Sequence, residues 1–299
     1  MIDAGTRYCA VFGQPVRHSA SPAMQNAGLK ALGLDWRYLA CEVRPEELRE
    51  ALAGARAMGF IGVNLTVPHK MLAVEMMDAL DESARLWGAV NTVRFEGRDA
   101  RGQWRPVGLM AERPEQVRAQ GFNTDAEALA GAVREELGLE LAGAKVLVLG
   151  AGGAGRTAGL KLAAEGTAAL YLVNRTRSKA EEVAREVRAR CPQVRVSVGW
   201  PAGPVDLVVN ATSLGLRADD PLPLEAGQFA LGRAKAVYDV IYRPAETELL
   251  RRAREAGCRV ANGLGMLLRQ GARALELWTG QPAPVAAMRK ALEENVYAR

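Results

Sequence analysis

The chain has 299 residues, 49% of them hydrophobic and 24% charged, with a formal net charge of +5. That composition is ordinary for a soluble globular enzyme, and the length exceeds what one hydrophobic core usually serves, so two domains are expected. The positive balance does not imply nucleic acid, because arginines alternate with glutamates on solvated helix faces, as in "EEVAREVRAR", and aromatics are only 5% and do not interleave with basic clusters. Cys9, Cys41, Cys191 and Cys258 lie far apart without C-x-x-C spacing, and there are only two histidines, so neither a metal site nor a disulfide framework is expected. Apolar runs are broken well short of a membrane span, and the reading is of a cytoplasmic protein.

In chain order, "RYCAVFG" is a short apolar strand ending in Gly13. "SPAMQNAGLKALG" is a helix with Ser21 as N-cap, Pro22 at the first helical position and Gly33 as stop. "WRYLACEV" is a second strand, "RPEELREALAGARAMG" a proline-opened helix, "FIGVNLTV" a third strand ended by Pro68, and "GAVNTVRFEG" a fourth. The βαβ rhythm predicts a mostly parallel, helix-covered sheet. Such sheets collect ligands beyond the carboxyl ends of their strands. In this reading Ser19, Ser21, Asn64, Thr66, Lys70, Asn91 and Thr92 all stand there. "TDAE" has the form of a capping box with Thr124 as N-cap and Glu127 at the third helical position.

The second half begins with "KVLVLGAGGAGRTAGLKLAAEG", strand, glycine turn and helix, with Gly150, Gly152 and Gly155 in the G-x-G-x-x-G positions. The first glycine permits the tight turn, the second lets backbone approach a pyrophosphate, and the third packs helix on strand. The next strand, "AALYLV", ends not in the acidic residue that would hold free ribose hydroxyls but in Asn174, Arg175 and Thr176, with Lys179 beyond. A carboxylate there would repel a 2′-phosphate, whereas Arg175 pairs with one, so the expected cofactor is NADP. "VDLVVNATS" and "AVYDVIY" are further strands, followed by the helix "PAETELLRRAREAG" and a last strand "CRVANG". The final two helices have no strand of the cofactor sheet left to accompany. They are expected to pack back on the first domain, with Met266 and Gln270 on one face. The fold expectation is therefore α/β with two domains: residues 1–125 for substrate binding and catalysis, 126–262 as a Rossmann NADP-binding domain, and 263–299 as C-terminal helices completing the first.

The ordered motifs "GQPVRHSASPAMQN", "GVNLTVPHK", "GAVNT", "NTD", "GAGGAGR", "NRT", "NATSLG", "YDVIYRP" and "GMLLRQGA" with "WTG" run nearly end to end, and through them the chain resembles the shikimate dehydrogenases. The resemblance implies reversible, NADP-dependent reduction of 3-dehydroshikimate to shikimate in the pathway to aromatic amino acids. It assigns Ser19 and Ser21 to the substrate carboxylate, Thr66, Asn91, Asp125 and Gln270 to ring hydroxyls, Tyr242 to the substrate's vicinity, and catalysis to Lys70 with Asp125. A ketone that receives hydride becomes an alkoxide needing a proton, which an ammonium can supply. Expected cofactor contacts are Gly150, Ala151, Gly152, Gly153, Ala154, Gly155, Asn174, Arg175, Thr176, Lys179, Thr212, Ser213, Gly263 and Met266. The partner is the small-molecule substrate, with neither nucleic acid nor membrane, in a monomer or homodimer.

Three features depart from the family pattern. Gln25 stands where many relatives have histidine, Ala126 follows "NTD" where glycine is usual, and the segment between Asn91 and Asn123 is long and charged, which reads as a surface hairpin with a short helix. The rival reading within the superfamily is a quinate/shikimate dehydrogenase preferring NAD. A non-catalytic sensor is the rival of another class, and retention of both Lys70 and Asp125 speaks against it.

Overall fold

The computed structural model describes residues 2–225 and 227–298. The chain divides into two compact units, Met1–Asp125 with Leu268–Arg299, and Ala126–Leu267. Both are α/β.

The first unit contains β1 (Arg7–Gly13), α1 (Ser21–Ala31), β2 (Trp36–Glu42), α2 (Leu48–Ala57), β3 (Gly62–Leu65), the short α3 (His69–Leu72), β4 (Ala79–Leu80), α4 (Glu82–Trp87), β5 (Thr92–Arg98), β6 (Trp104–Pro106) and β7 (Val117–Phe122). Its sheet runs β2-β1-β3-β5-β7-β4, with β6 hairpinned onto β5. β1, β2 and β3 are mutually parallel, but β5 is antiparallel to β3, β6 and β7. The βαβ rhythm puts Asn91 and Thr92 at the carboxyl end of the fourth strand; in the structure they stand at its beginning. Because β5 runs backwards, its beginning still lies beside the end of β3, with Thr92 paired to Asn64. The long charged segment is the β5–β6 hairpin followed by a 3-10 turn at Val107–Leu109.

One local expectation fails for a tertiary reason. Ser21 is the first residue of α1, not its cap; Ala20 occupies the cap and no side chain bonds there. The Ser21 side chain is turned inward to the phenol of Tyr38. Lys70 sits in α3, one turn of helix that follows Pro68.

The second unit takes α5 (Asp125–Leu137) from its second residue, then β8 (Lys145–Leu149), α6 (Gly153–Ala164), β9 (Ala169–Val173), α7 (Arg177–Arg190), β10 (Arg195–Val198), β11 (Val205–Asn210), β12 (Ala234–Asp239), α8 (Glu248–Glu255) and β13 (Arg259–Ala261). The six strands are all parallel in the order β10-β9-β8-β11-β12-β13, the doubly wound arrangement with its switch point between β8 and β11. β8 is buried on both faces from its second residue, which is why "VLVL" lacks polar alternation.

α9 (Leu264–Thr279) and α10 (Val285–Tyr297) end the chain. α10 packs along α1. Trp278 is fully buried in the first unit, donates from Nε1 to the Val93 carbonyl at 3.0 Å and lies 6.1 Å from the Tyr38 ring. Truncating an indole buried so completely costs about 3–5 kcal/mol, so the C-terminal segment is integral to this unit's core.

Candidate active site

One edge of the first sheet gathers the polar residues. It receives the carboxyl ends of β1, β3 and β7 and the start of the reversed β5. Lys70 Nζ lies 2.7 Å from Asp125 Oδ2, and Asn91 Nδ2 donates to Asp125 Oδ1 at 2.9 Å. The same Asn91 amide reaches Thr124 Oγ1 at 2.9 Å and Gln270 Oε1 at 3.5 Å, while its Oδ1 accepts from the Thr124 backbone at 2.7 Å. Lys70 is half-buried; Asn91, Asp125 and Gln270 are buried. Ser19 Oγ accepts from the Ser21 backbone N–H at 3.3 Å, and half-buried Thr66 leads into α3, accepting from His69 N at 2.9 Å through its carbonyl. Thr124 is therefore spent on Asn91, and Glu127 pairs with Lys161, so neither side chain is used as a capping box would use it.

Behind these residues lies a second row, of which the sequence placed Asn64 and Thr92 at this edge without a role and left out Tyr38. Tyr38 Oη donates to Asn64 Oδ1 at 2.7 Å, and Asn64 Nδ2 donates to Thr92 Oγ1 at 3.0 Å and the Asn91 carbonyl at 3.2 Å. Burial pushes the Tyr38 phenol well up, so it stays a protonated donor. The one local signal was an asparagine within the apolar "GVNL". His69 is fully buried with Nε2 against the Val43 carbonyl at 2.9 Å, and burial lowers its pKa. Among the described residues no cluster of three or more metal-ligating side chains occurs.

The second unit presents its own carboxyl edge. Gly150 has φ +102°, and an added Cβ would approach the Ala211 carbonyl oxygen at 2.8 Å. At Gly155 a Cβ would sit 2.1 Å from the Gly150 oxygen, so helix and turn touch only because that side chain is missing. Gly152 and Gly153, by contrast, face open space, and Gly152, Gly153 and Ala154 are exposed at the start of α6. That is a fit for pyrophosphate at a helix N-terminus. Asn174 Oδ1 accepts from Ala151 N at 3.0 Å and its amide reaches the Thr176 carbonyl at 2.8 Å, tying the ends of β8 and β9 together. Arg175 and Lys179 are exposed and their side chains form no hydrogen bond or ion pair among the described residues, leaving two free cations where a 2′-phosphate would need them. Thr212 and Ser213 follow β11, Tyr242 follows β12, and Gly263 follows β13 with its Cα hydrogens against the Val240 carbonyl. Met266 is half-buried in the first turn of α9.

Comparison with known proteins bears on this arrangement. Family models match in three stretches: the shikimate dehydrogenase substrate binding domain over residues 11–93, shikimate / quinate 5-dehydrogenase over 132–213, and the shikimate 5'-dehydrogenase C-terminal domain over 263–293. The shikimate dehydrogenase (NADP(+)) of Methanopyrus kandleri is 40% identical over 99% of this chain and 98% of its own. The chain belongs to the shikimate dehydrogenase family. A crystal structure of a shikimate dehydrogenase in complex with NADP+ matches with a TM-score of 0.84 at 34% identity, over 99% of this chain and 98% of that one. The shikimate 5-dehydrogenase of Thermus thermophilus, in complex with NADP(H) and shikimate, matches at 0.78 and 37%, over 97% and 100%. Among the described residues no helix is long and apolar enough to cross a membrane.

This shikimate dehydrogenase family member also buries the carboxylate of Asp239, at the end of β12, with no exposed surface. Burial pushes its pKa up to about 6, against the lowering effect of donors from Thr247, Ile241 and Asn210. The unfolded chain releases that proton near the ordinary carboxyl value, so between the two pKa values the folded state binds more protons and stability falls as pH rises. Below the unfolded value the penalty is absent; above about pH 7 it is complete, at about 3 kcal/mol. Asp239→Asn lacks it. Its stability relative to the parent should therefore improve by about 2 kcal/mol between roughly pH 4.5 and 7.5, as read from urea unfolding at both pH values. A difference that does not vary with pH would contradict the raised pKa.

Proposed function

We propose that the chain is an NADP-dependent shikimate dehydrogenase, interconverting shikimate plus NADP+ with 3-dehydroshikimate plus NADPH and a proton. The observation that carries this reading is the Lys70–Asp125 pair, 2.7 Å apart on a polar sheet edge with Asn91 and Gln270 bonded around it. NADPH, when bound, supplies hydride to a ketone carbon. Lys70 gives its proton to the ketone oxygen, completing the alcohol, and in the reverse direction receives it. Asp125 holds the ammonium in place and accepts from a ring hydroxyl. Asn91, Thr66 and Gln270 take the other hydroxyls, Ser19 and Ser21 the carboxylate, and Tyr242 lies by the substrate. The glycine turn Gly150–Gly155 holds the pyrophosphate. Asn174, Arg175, Thr176 and Lys179 hold the adenosine end with its 2′-phosphate, and Thr212, Ser213, Gly263 and Met266 the rest of the cofactor. Placement in the cytoplasm and a monomeric or dimeric state belong to the same reading, the latter open to sedimentation.

The NAD-preferring quinate/shikimate alternative is not favoured. Both serines are present, and quinate's additional hydroxyl sits on the carbon that bears the carboxylate they would grip. The test is a set of initial rates for shikimate and quinate with NADP+ and NAD+, in all four combinations. Shikimate with NADP+ should dominate; an equal or greater rate with quinate or NAD+ would reverse the assignment.

Arg175 is the expected source of cofactor selectivity, since no carboxylate ends β9 and the guanidinium has no partner of its own among the described residues. Arg175→Ala should weaken NADP+ by about 1.5–3 kcal/mol, the scale of a charge-assisted hydrogen bond, and scarcely alter NAD+. Equal losses for the two cofactors in a fluorescence titration would contradict the role.

A further inference from the structure

Two loops of the second unit carry residues assigned above to ligands: the segment after β11, with Thr212 and Ser213, and the segment after β12, with Tyr242. Both depend on one buried carboxylate. Asp239 and Asn210 are the last residues of their strands and stand in register with each other. Asp239 Oδ1 accepts from Asn210 Nδ2 at 3.0 Å and from Ile241 N at 3.1 Å, and its Oδ2 accepts from Thr247 Oγ1 at 2.7 Å. From Asn210 the network enters the first loop: Nδ2 donates to the Leu214 carbonyl at 3.2 Å, and Oδ1 accepts from the Thr212 backbone at 3.1 Å and its hydroxyl at 2.7 Å. From Thr247 it reaches α8, whose N-cap this residue is, accepting from Leu250 N at 3.3 Å.

Between the loops lies a cavity of 540 Å³ bordered by Leu214, Leu216, Arg217, Arg243, Pro244 and Thr247. A carboxylate with no exposed surface is also an expensive way to fill a core position, since an apolar side chain of similar size avoids its desolvation. Three donors converging on it from the end of β11, from its own loop and from the start of α8 give it a use that an apolar residue could not serve.

We propose that Asp239 is a positioning residue for the reaction: by binding Asn210, Ile241 and Thr247 together it fixes the loops after β11 and β12 as one body and so sets where Thr212 and Tyr242 meet cofactor and substrate. The proposal rests on the functional reading above. Asp239 itself touches neither ligand.

The test compares four full-length proteins, the parent, Asp239→Ala, Asp239→Asn and Val208→Ala, by NADP+ binding from fluorescence titration, kcat and KM for shikimate, and thermal unfolding. Val208 is a fully buried core residue of β11 outside the network, so its truncation destabilises the unit without touching the loops. Asp239→Ala should weaken NADP+ and lower kcat, each by about ten- to a hundredfold, the scale of misplaced contacting groups. Asp239→Asn should retain both within about threefold, because Oδ1 still accepts from Asn210 and Ile241 while Nδ2 can donate to the Thr247 hydroxyl oxygen. Val208→Ala should lose melting temperature with binding and kcat unchanged. The proposal fails if Asp239→Ala behaves like Val208→Ala, or if Asp239→Asn is as impaired as Asp239→Ala. Should Asp239→Ala not fold, Thr247→Val, which removes one donor to Asp239 together with the hydroxyl that caps α8, takes its place, with a several-fold loss expected and parental behaviour overturning the idea. A parent that neither binds NADP+ nor oxidises shikimate would remove the functional reading itself, a result distinct from any pattern among the variants.

Discussion

Replacing Lys70 with alanine is expected to lower kcat about 10²–10⁴-fold, the loss typical of a removed general acid–base, while leaving NADP+ affinity intact. The ammonium is the positively charged side chain bonded into the Asn91–Asp125–Gln270 cluster, and α3 presents it half-buried with Asp125 at 2.7 Å. Cofactor binding should persist because the glycine turn and Arg175 belong to the other unit. Alanine leaves the Asn91 donor on Asp125 in place, so the remaining carboxylate keeps a partner and the fold should survive. Single-turnover rates at saturating substrate separate chemistry from product release. A folded Lys70→Ala protein that binds both ligands and keeps near-parental kcat would reduce Lys70 to a surface lysine.

The features legible in the sequence are those that local chain geometry dictates. The Gly150–Gly155 turn could be read because each glycine answers a constraint within a few residues of itself, and the structure shows the close approach at Gly155 directly. The basic end of β9 was legible for the same reason. Strand direction was not: "GAVNTVRFEG" has the same apolar pattern whichever way it runs, and only pairing with β3 and β7 shows that β5 is reversed. Asn91 nevertheless arrives at the right edge, because reversal brings the strand's first residue where its last was expected. Ser21 has every local mark of an N-cap, but tertiary burial against Tyr38 overrides that preference. The inner row of Tyr38, Asn64 and Thr92, and the Asn210–Asp239–Thr247 hub, join residues from separate strands and loops, and nothing in either local stretch announces the other.

Asp125→Asn should be nearly as damaging as loss of Lys70, for a reason visible in its contacts. One carboxylate oxygen accepts from the Lys70 ammonium and the other from the Asn91 amide. An asparagine has only one acceptor oxygen, so in either orientation its NH2 must face a donor, the Lys70 ammonium or the Asn91 Nδ2. The isosteric amide therefore breaks one of the two bonds outright and removes the charge that holds the ammonium. A kcat loss of about 10²–10³-fold is expected, with NADP+ affinity again unchanged. If the two groups act as a unit, the second substitution has little left to remove: Lys70→Ala with Asp125→Asn should fall far short of the product of the single losses. Measured kcat values for the four proteins of this cycle supply the coupling. Strict multiplicativity would mean that Lys70 and Asp125 contribute separately, and the 2.7 Å contact between them would then be structural and not part of the chemistry.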